Sequence, residues 1–125
     1  MNENDISYQI RGAIFTVYNA LGPGLLESAY ETILTYILRE NGLVVKQQVS
    51  LPIYFNDIRL DAGYRIDLLV NDLVIVEIKS VETLASVHHL QVLTYLKLSK
   101  LKLGILVNFN TANISQSIFR KVNGL

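Results

Sequence analysis

Two acidic residues and a lysine near the middle of the chain have the types and the spacing that metal-assisted hydrolysis requires. Glu77 and Lys79 alternate along a strand-like segment, Leu73–Lys79, and therefore share one of its faces. Nine residues separate Glu77 from Asp67, which lies in the preceding strand-like segment, Tyr64–Val70. Charged groups buried in a sheet are poor stabilisers of a fold, so this cluster favours a functional site over a structural group of ion pairs.

The chemistry that these side chains suit is hydrolysis assisted by a hard divalent cation. Mg²⁺ prefers oxygen ligands in an octahedron and is usually bound by one or two carboxylates, waters and a substrate phosphate. We expect Asp67 and Glu77 to supply the carboxylates and the backbone carbonyl of Ile78 to be a third ligand. We expect Lys79 to orient or deprotonate the attacking water and to offset the charge of the phosphate.

A shared site imposes a condition on how the two segments pair. With a two-residue turn at Asn71 and Asp72, Asp67 would pair with Val76, and the two carboxylates would lie on opposite faces of the sheet. A three-residue loop, 71–73, or an equivalent bulge places Asp67 opposite Glu77. Because Asn and Asp tolerate the left-handed conformation, we predict this shifted register, with the carboxylates within about 5 Å of each other.

A predicted helix from about Leu25 to Glu40 carries a second acidic candidate. Helical spacing places Glu27 inside the apolar arc, where it could hold a second metal ion or a metal-bound water. An edge glutamate that reaches water or an arginine is the structural alternative. The spacing assigns four residues to the solvent side: Ser28, Thr32, Thr35 and Arg39.

A further predicted helix, from about Thr83 to Ser99, presents a polar stripe. His88, Gln91 and Tyr95 are spaced at i, i+3 and i+7 on one side of it. We expect Gln91 and Tyr95 to position the substrate or the lysine, packed over the charged ends of the strands. A buried Gln–Tyr hydrogen bond and a structural histidine are the alternatives.

The remaining periodicities complete the element order. They predict a helix at Ile6–Leu21 and short strands at Leu43–Val49, Leu51–Phe55, Ile58–Leu60 and Leu103–Phe109. The segment Ile114–Val122 fits either a helix or a strand. This order of elements, in which a helix, antiparallel strands, a helix and a strand follow one another, predicts an α/β (α+β) domain over residues 1–125. The domain is expected to have three layers around one mixed sheet.

Composition narrows the classes of protein and of partner. Half of the 125 residues are hydrophobic and 18% are charged, which excludes a disordered chain. The absence of cysteine excludes thiol catalysis and zinc sites built on cysteine. Eleven basic and eleven acidic residues cancel, so contact with phosphates needs a local patch or a metal ion. A polar, acidic start and the lack of a long apolar run predict a soluble, cytoplasmic protein without a membrane partner.

Two motifs resemble those of a known family. The segment Gly24–Tyr30, with Glu27 at its centre, matches the name-giving motif of the GxxExxY family. That family is a branch of the PD-(D/E)xK nuclease superfamily, and Asp67 followed by Glu77-Ile78-Lys79 resembles the superfamily signature. The resemblance extends from about residue 6 to 110 and includes a QxxxY element similar to that of RecB-type nucleases. It implies a restriction-endonuclease-like fold and a nuclease site formed by Glu27, Asp67, Glu77, Lys79 and Gln91.

Patterning and resemblance together predict a small nuclease that depends on Mg²⁺ or Mn²⁺ and hydrolyses phosphodiester bonds of DNA or RNA. Two alternatives are a catalytically inactive nucleic-acid-binding module and a protein-interaction domain that retain the fold. An enzyme should bind metal and cleave, a binding module should retain nucleic acid in EDTA, and an interaction domain should do neither. Endonuclease or exonuclease action, strandedness and a homodimeric state stay open.

Overall fold

In a computed structural model that describes residues 1–125, three helices and seven strands follow one another along the chain. The helices are α1 (Glu3–Leu21), α2 (Glu27–Glu40) and α3 (Ser86–Ser99). The strands are β1 (Val45–Ser50), β2 (Ile53–Phe55), β3 (Ile58–Leu60), β4 (Arg65–Val70), β5 (Val74–Lys79), β6 (Leu103–Asn108) and β7 (Ile118–Val122), the last preceded by a 3₁₀ turn at Ile114–Gln116.

Five strands form one mixed sheet in the order β1-β4-β5-β6-β7. The β5–β6 pair is parallel and the other three pairs are antiparallel. A parallel pair needs a crossover connection, which α3 supplies between β5 and β6. This arrangement confirms the predicted α/β, restriction-endonuclease-like architecture. No helix of the structure is both long and apolar enough to cross a membrane.

The strands β2 and β3 lie outside this sheet and pair only with each other. The predicted mixed sheet therefore contains five of the seven strands, and this hairpin is separate from it. Its apolar side chains are largely exposed to solvent, as Phe55 and Ile58 show with exposed fractions of 67% and 57%. A strand joins the core sheet when one of its faces can be buried, and this hairpin has no such face.

The two faces of the central sheet bury separate apolar clusters. On one face, α1 and α2 pack over side chains that include Leu68 of β4 and Val76 of β5. On the other face, Leu96 of α3 packs against Ile75 of β5. The sheet is thus the middle layer of three, and residues at the ends of β4 and β5 lie between helices on both sides.

Helix α3 approaches the sheet closely over a glycine of β6. A Cβ atom added at Gly104 would lie 2.7 Å from Cγ1 of Val92 in α3, too close for any other residue unless Val92 or its surroundings shift.

At the start of α3, the Nδ1 atom of His88 accepts a hydrogen bond of 3.0 Å from the backbone N–H of Ala85. His88 is therefore part of the helix cap, which agrees with the alternative interpretation of a structural histidine.

Helix α2 differs from its prediction at two polar positions. It begins at Glu27 rather than Leu25, and Glu27 is exposed, so its predicted place inside the apolar arc is wrong. Thr35, predicted on the solvent side, is 3% exposed. Helix α2 contacts α1 as well as the sheet, so more of its circumference is buried than one apolar face would bury. Thr32, by contrast, is exposed as predicted.

Thr35→Val is expected to stabilise the protein by about 1 kcal/mol. The hydroxyl of Thr35 is buried without a hydrogen-bond partner, and valine replaces it with a methyl group of similar size. Denaturant unfolding measures the change. Thr32→Val is the control, since the Thr32 hydroxyl is exposed and donates to the carbonyl of Ser28. A lower stability for Thr35→Val than for wild type would show that its hydroxyl has a partner.

Candidate active site

Strands β4 and β5 pair in the register that a shared site requires. Val70 pairs with Val74 and Leu68 with Val76, so the same register places Asp67 opposite Glu77. The loop between the strands contains three residues, 71–73, the first two of which have left-handed backbones with φ of 52° and 54°. The shifted register and its loop are thereby confirmed.

Beyond Leu68 and Val76 the backbone ladder gives way to side-chain hydrogen bonds. The Asp67 carboxylate accepts a hydrogen bond from the Ile78 N–H at 2.8 Å, and the Glu77 carboxylate accepts one from the Asp67 N–H at 3.1 Å. Each acid is therefore held by the backbone of the opposite strand. Ile66, which precedes Asp67 in β4, packs in the cluster under α3, whereas Leu68 packs in the cluster under α1 and α2. Residues two apart in a regular strand share a face, so the strand is irregular at Asp67.

Glu77 has an unusual electrostatic environment. It is 3% exposed, and burial raises its pKa from 4.5 to about 9, with the nearby charge of Asp67 as the next contribution. The charge of Lys79 opposes this shift but is the weakest of the influences on the Glu77 pKa. Lys79 therefore compensates the charge of a deprotonated Glu77 only weakly.

Lys79 is the last residue of β5, and Glu27, the first residue of α2, lies at the same end of that strand. The Lys79 side chain is half-buried and takes part in neither of the two salt bridges of the protein. The Glu27 carboxylate accepts a hydrogen bond of 3.1 Å from the N–H of Ser80, and the Ser80 hydroxyl donates to the carbonyl of Leu25 at 2.7 Å. These bonds tie the start of α2 to the end of β5. They do not bring Glu27 into a three-acid group, since no cluster of three or more His, Asp or Glu side chains is arranged to hold a metal ion.

The loop before α2 is held in place by a buried tyrosine of the Gly24–Tyr30 motif. The Tyr30 hydroxyl donates to the carbonyl of Gly22 at 2.5 Å and accepts from the N–H of Leu25 at 3.3 Å. Its ring stacks on Phe109, with 4.2 Å between centroids and 6° between planes. Tyr30 thus holds the segment that leads into Glu27, which gives this part of the motif a structural function.

Two residues beside the acids were missed by sequence reasoning. Gln48 of β1 lies opposite Asp67 by register, and its amide nitrogen is 3.3 Å from Asp67 Oδ1 and 2.6 Å from Glu31 Oε1. Glu31 also accepts a hydrogen bond from Gln47. Glu27 and Glu31 are four residues apart on one helix face, a spacing that could have identified Glu31. Gln48 has a φ of 50°, a conformation that its residue type does not predict.

The polar pair of α3 borders the acids from the other layer. The Gln91 amide donates to the Tyr95 hydroxyl at 3.0 Å. Burial raises the pKa of Tyr95, and the charges of Glu77 and Asp67 raise it further, so its phenol lies within the field of both acids. Tyr95 also packs with Ile66, which precedes Asp67, and with Ile75 of β5, so the pair lies on the face of the sheet that α3 covers.

Comparison with known proteins agrees with this geometry. The family model of the PD-(D/E)XK nuclease superfamily matches residues 4–121, a range that contains all of the candidate site residues. No curated protein matches the chain, and neither does any solved structure. The chain therefore belongs to the PD-(D/E)XK nuclease superfamily, a membership that supports a nuclease-type function.

Proposed function

We propose that this protein is a metal-dependent nuclease that hydrolyses phosphodiester bonds of DNA or RNA. The observation that carries the proposal is the pairing of Asp67 opposite Glu77 at the end of two strands, with Lys79 on the face of Glu77. The Gly24–Tyr30 motif supports its place in the GxxExxY branch. In this proposal residues 1–125 form one nuclease-like domain that acts in the cytoplasm.

The acids of the site suit Mg²⁺ or Mn²⁺. Glu77 is buried beside a second carboxylate, and Lys79 offsets its charge only weakly, an arrangement that a bound divalent ion would stabilise. Two protein carboxylates are a usual set for Mg²⁺, which keeps several waters. We propose Asp67, Glu77 and the Ile78 carbonyl as its ligands, and Glu27 as a ligand of a second ion or of a metal-bound water. When bound, the cation would act as a Lewis acid and lower the pKa of a bound water.

The other residues of the site have roles that follow from their positions. The Lys79 amine is free of ion pairs and would orient the attacking water, accept its proton or offset phosphate charge. Tyr95 would contact the substrate or Lys79 through its hydroxyl, which Gln91 holds in place. Gln48 would fix the orientation of the Asp67 carboxylate through its amide.

A cleavage assay with matched metal conditions tests the proposal. Linear duplex DNA, closed circular DNA, single-stranded DNA and RNA are each incubated with Mg²⁺, Mn²⁺ or EDTA. We expect cleavage with either metal and none in EDTA, and cutting of the closed circle would identify an endonuclease. Retention of nucleic acid in EDTA without cleavage would indicate a binding module instead. Neither cleavage nor retention would indicate a protein-interaction domain.

Lys79→Ala is expected to leave metal affinity intact and to reduce turnover by about a hundredfold or more. The reason is that the amine acts on the water and the phosphate, whereas the carboxylates bind the cation. Lys79→Arg is the matched variant, because it keeps the positive charge but cannot accept a proton. Activity in Lys79→Arg would assign the lysine a purely electrostatic role. Wild-type turnover in Lys79→Ala would remove the residue from the mechanism.

Gln91→Leu is expected to reduce cleavage by about tenfold while the protein keeps or gains stability. Leucine replaces a half-buried amide with an apolar side chain, and the Tyr95 hydroxyl loses the donor that orients it. Steady-state cleavage rates and thermal unfolding measure the two effects. Gln91→Glu is a second variant that retains a polar group at this position. Unchanged cleavage by Gln91→Leu would show that Tyr95 needs no positioning.

A further inference from the structure

An apolar groove of about 290 Å³ lies directly beside the candidate site, between α3 and the chain around β2 and the start of β4. Two of its lining residues, Val87 and Leu90 of α3, are 63% and 60% exposed. Its other walls include Ile53, Tyr64, Thr94 and Tyr95. The volume is near the lower end for small-molecule sites, which suits a single flat ring system.

The groove and the acids share residues. Tyr95 lines the groove and also packs in one apolar cluster with Ile66, the residue before Asp67, and with Ile75, two residues before Glu77. Gln91 lines the groove as well, and only its amide nitrogen is used in the bond to Tyr95. If a molecule binds at the two acids, the part of it that extends toward α3 would therefore enter this groove.

The lining has the chemistry of a nucleobase site. Tyr64 is 44% exposed and meets Tyr95 edge to face, with 6.3 Å between centroids and 67° between planes. Its exposed surface offers an aromatic platform, on which any base can stack. The Gln91 carbonyl oxygen and the Thr94 hydroxyl form no hydrogen bonds within the protein and could meet the polar edge of a base.

A cationic depression adjoins the groove across Tyr64. Its lining includes two arginines and one aspartate, and Tyr64 lines both depressions. Arg59 pairs with Asp61 at 3.2 Å, which leaves Arg65 as the unpaired charge. The Arg65 guanidinium binds only the Gln48 carbonyl, at 3.4 Å, and the Ser50 hydroxyl, at 3.2 Å, and forms no salt bridge. Arg65 is thus a positive charge without an acidic partner, which is complementary to a phosphate.

We propose that the groove binds one unpaired base of a single-stranded nucleic acid, adjacent to the phosphate at Asp67 and Glu77, with Arg65 on the next phosphate of the strand. This inference rests on the proposed nuclease function and narrows its substrate to single strands, ends or flipped nucleotides. A base inside a duplex is stacked on both sides and cannot enter such a groove without leaving the stack.

A binding experiment tests the groove without requiring cleavage. The full chain carrying Asp67→Asn, which removes one charge that would repel the strand, is titrated with single-stranded DNA containing one 2-aminopurine. The fluorescence of this base is quenched by stacking on an aromatic ring. We expect quenching with the parent and with Tyr64→Phe, and about tenfold weaker binding with Tyr64→Leu. Tyr36→Leu is the control, since Tyr36 is an exposed tyrosine of α2 outside the groove.

The outcomes separate this inference from the nuclease proposal. Equal binding by Tyr64→Leu and Tyr64→Phe, or no quenching by the parent, would overturn the base site even if wild-type protein cleaves nucleic acid. Quenching lost only in Tyr64→Leu would support the base site even if no cleavage were found. An apolar peptide that occupies the groove, while the oligonucleotide does not displace it, would identify a protein partner and overturn the proposal.

Discussion

Asp67→Asn is expected to reduce metal-dependent cleavage by about a thousandfold or more and to leave the fold intact. Asparagine preserves the size of the side chain and can still accept the hydrogen bond from the Ile78 N–H, but it lacks the charge that attracts a cation. Removal of one of two neighbouring carboxylates also relieves repulsion, so stability is expected to stay equal or rise. Initial cleavage rates and circular dichroism measure both effects.

Asp72→Asn is the matched control for this prediction. Asp72 belongs to the loop between the same two strands, is exposed, and pairs with Lys46 at 2.7 Å on the surface. Its substitution is expected to change cleavage less than twofold, since exposed ion pairs contribute little. Full activity in Asp67→Asn, or an unfolded variant that still binds metal, would make Asp67 a structural residue.

Glu77→Gln is expected to raise the free energy of unfolding at pH 7, in EDTA, by on the order of 3 kcal/mol. Burial and the charge of Asp67 raise the pKa of Glu77 from 4.5 to about 9 in the folded protein. The folded state therefore binds a proton more tightly than the unfolded state. The resulting stabilisation is fully present below pH 4.5 and is lost as the pH rises to about 9. Glutamine resembles the protonated acid and does not titrate.

Urea unfolding across this pH range measures the effect. The difference in stability between Glu77→Gln and wild type should be small near pH 4, grow steadily with pH and level off above about pH 9. Glu3→Gln is the control, because Glu3 is in the first turn of α1 and away from the site. Parallel stability curves for Glu77→Gln and wild type would mean that Glu77 titrates as an ordinary surface acid.

The register of β4 and β5 shows what the sequence can predict about this site. Strand periodicity places Asp67 and Glu77 on a common face only if the loop has three residues, and the structure has that loop. The prediction succeeds because alternation is a strict geometric rule and because Asn71 and Asp72 tolerate the left-handed backbone. The residue types of the loop and the need for both carboxylates on one face therefore favoured the same pairing of the strands.

Features that depend on tertiary contacts were not predictable in the same way. Thr35 is buried because α2 contacts α1 in addition to the sheet, and helical periodicity alone does not reveal a second neighbour. Glu27 is exposed at the first position of α2, which begins two residues later than the apolar pattern suggests. The left-handed backbone of Gln48 is imposed by its surroundings. The exposed hairpin β2–β3 satisfies strand propensity without joining the sheet.

Calorimetric titration with Mn²⁺ tests most directly the claim that Asp67 and Glu77 together bind one catalytic cation. The wild-type protein, Asp67→Asn and Asp72→Asn are each titrated after treatment with EDTA and its removal. We predict one saturable site in wild type and in Asp72→Asn, and its loss in Asp67→Asn. A wild-type protein that binds no Mn²⁺, or an Asp67→Asn variant that binds it as tightly as wild type, would contradict the account.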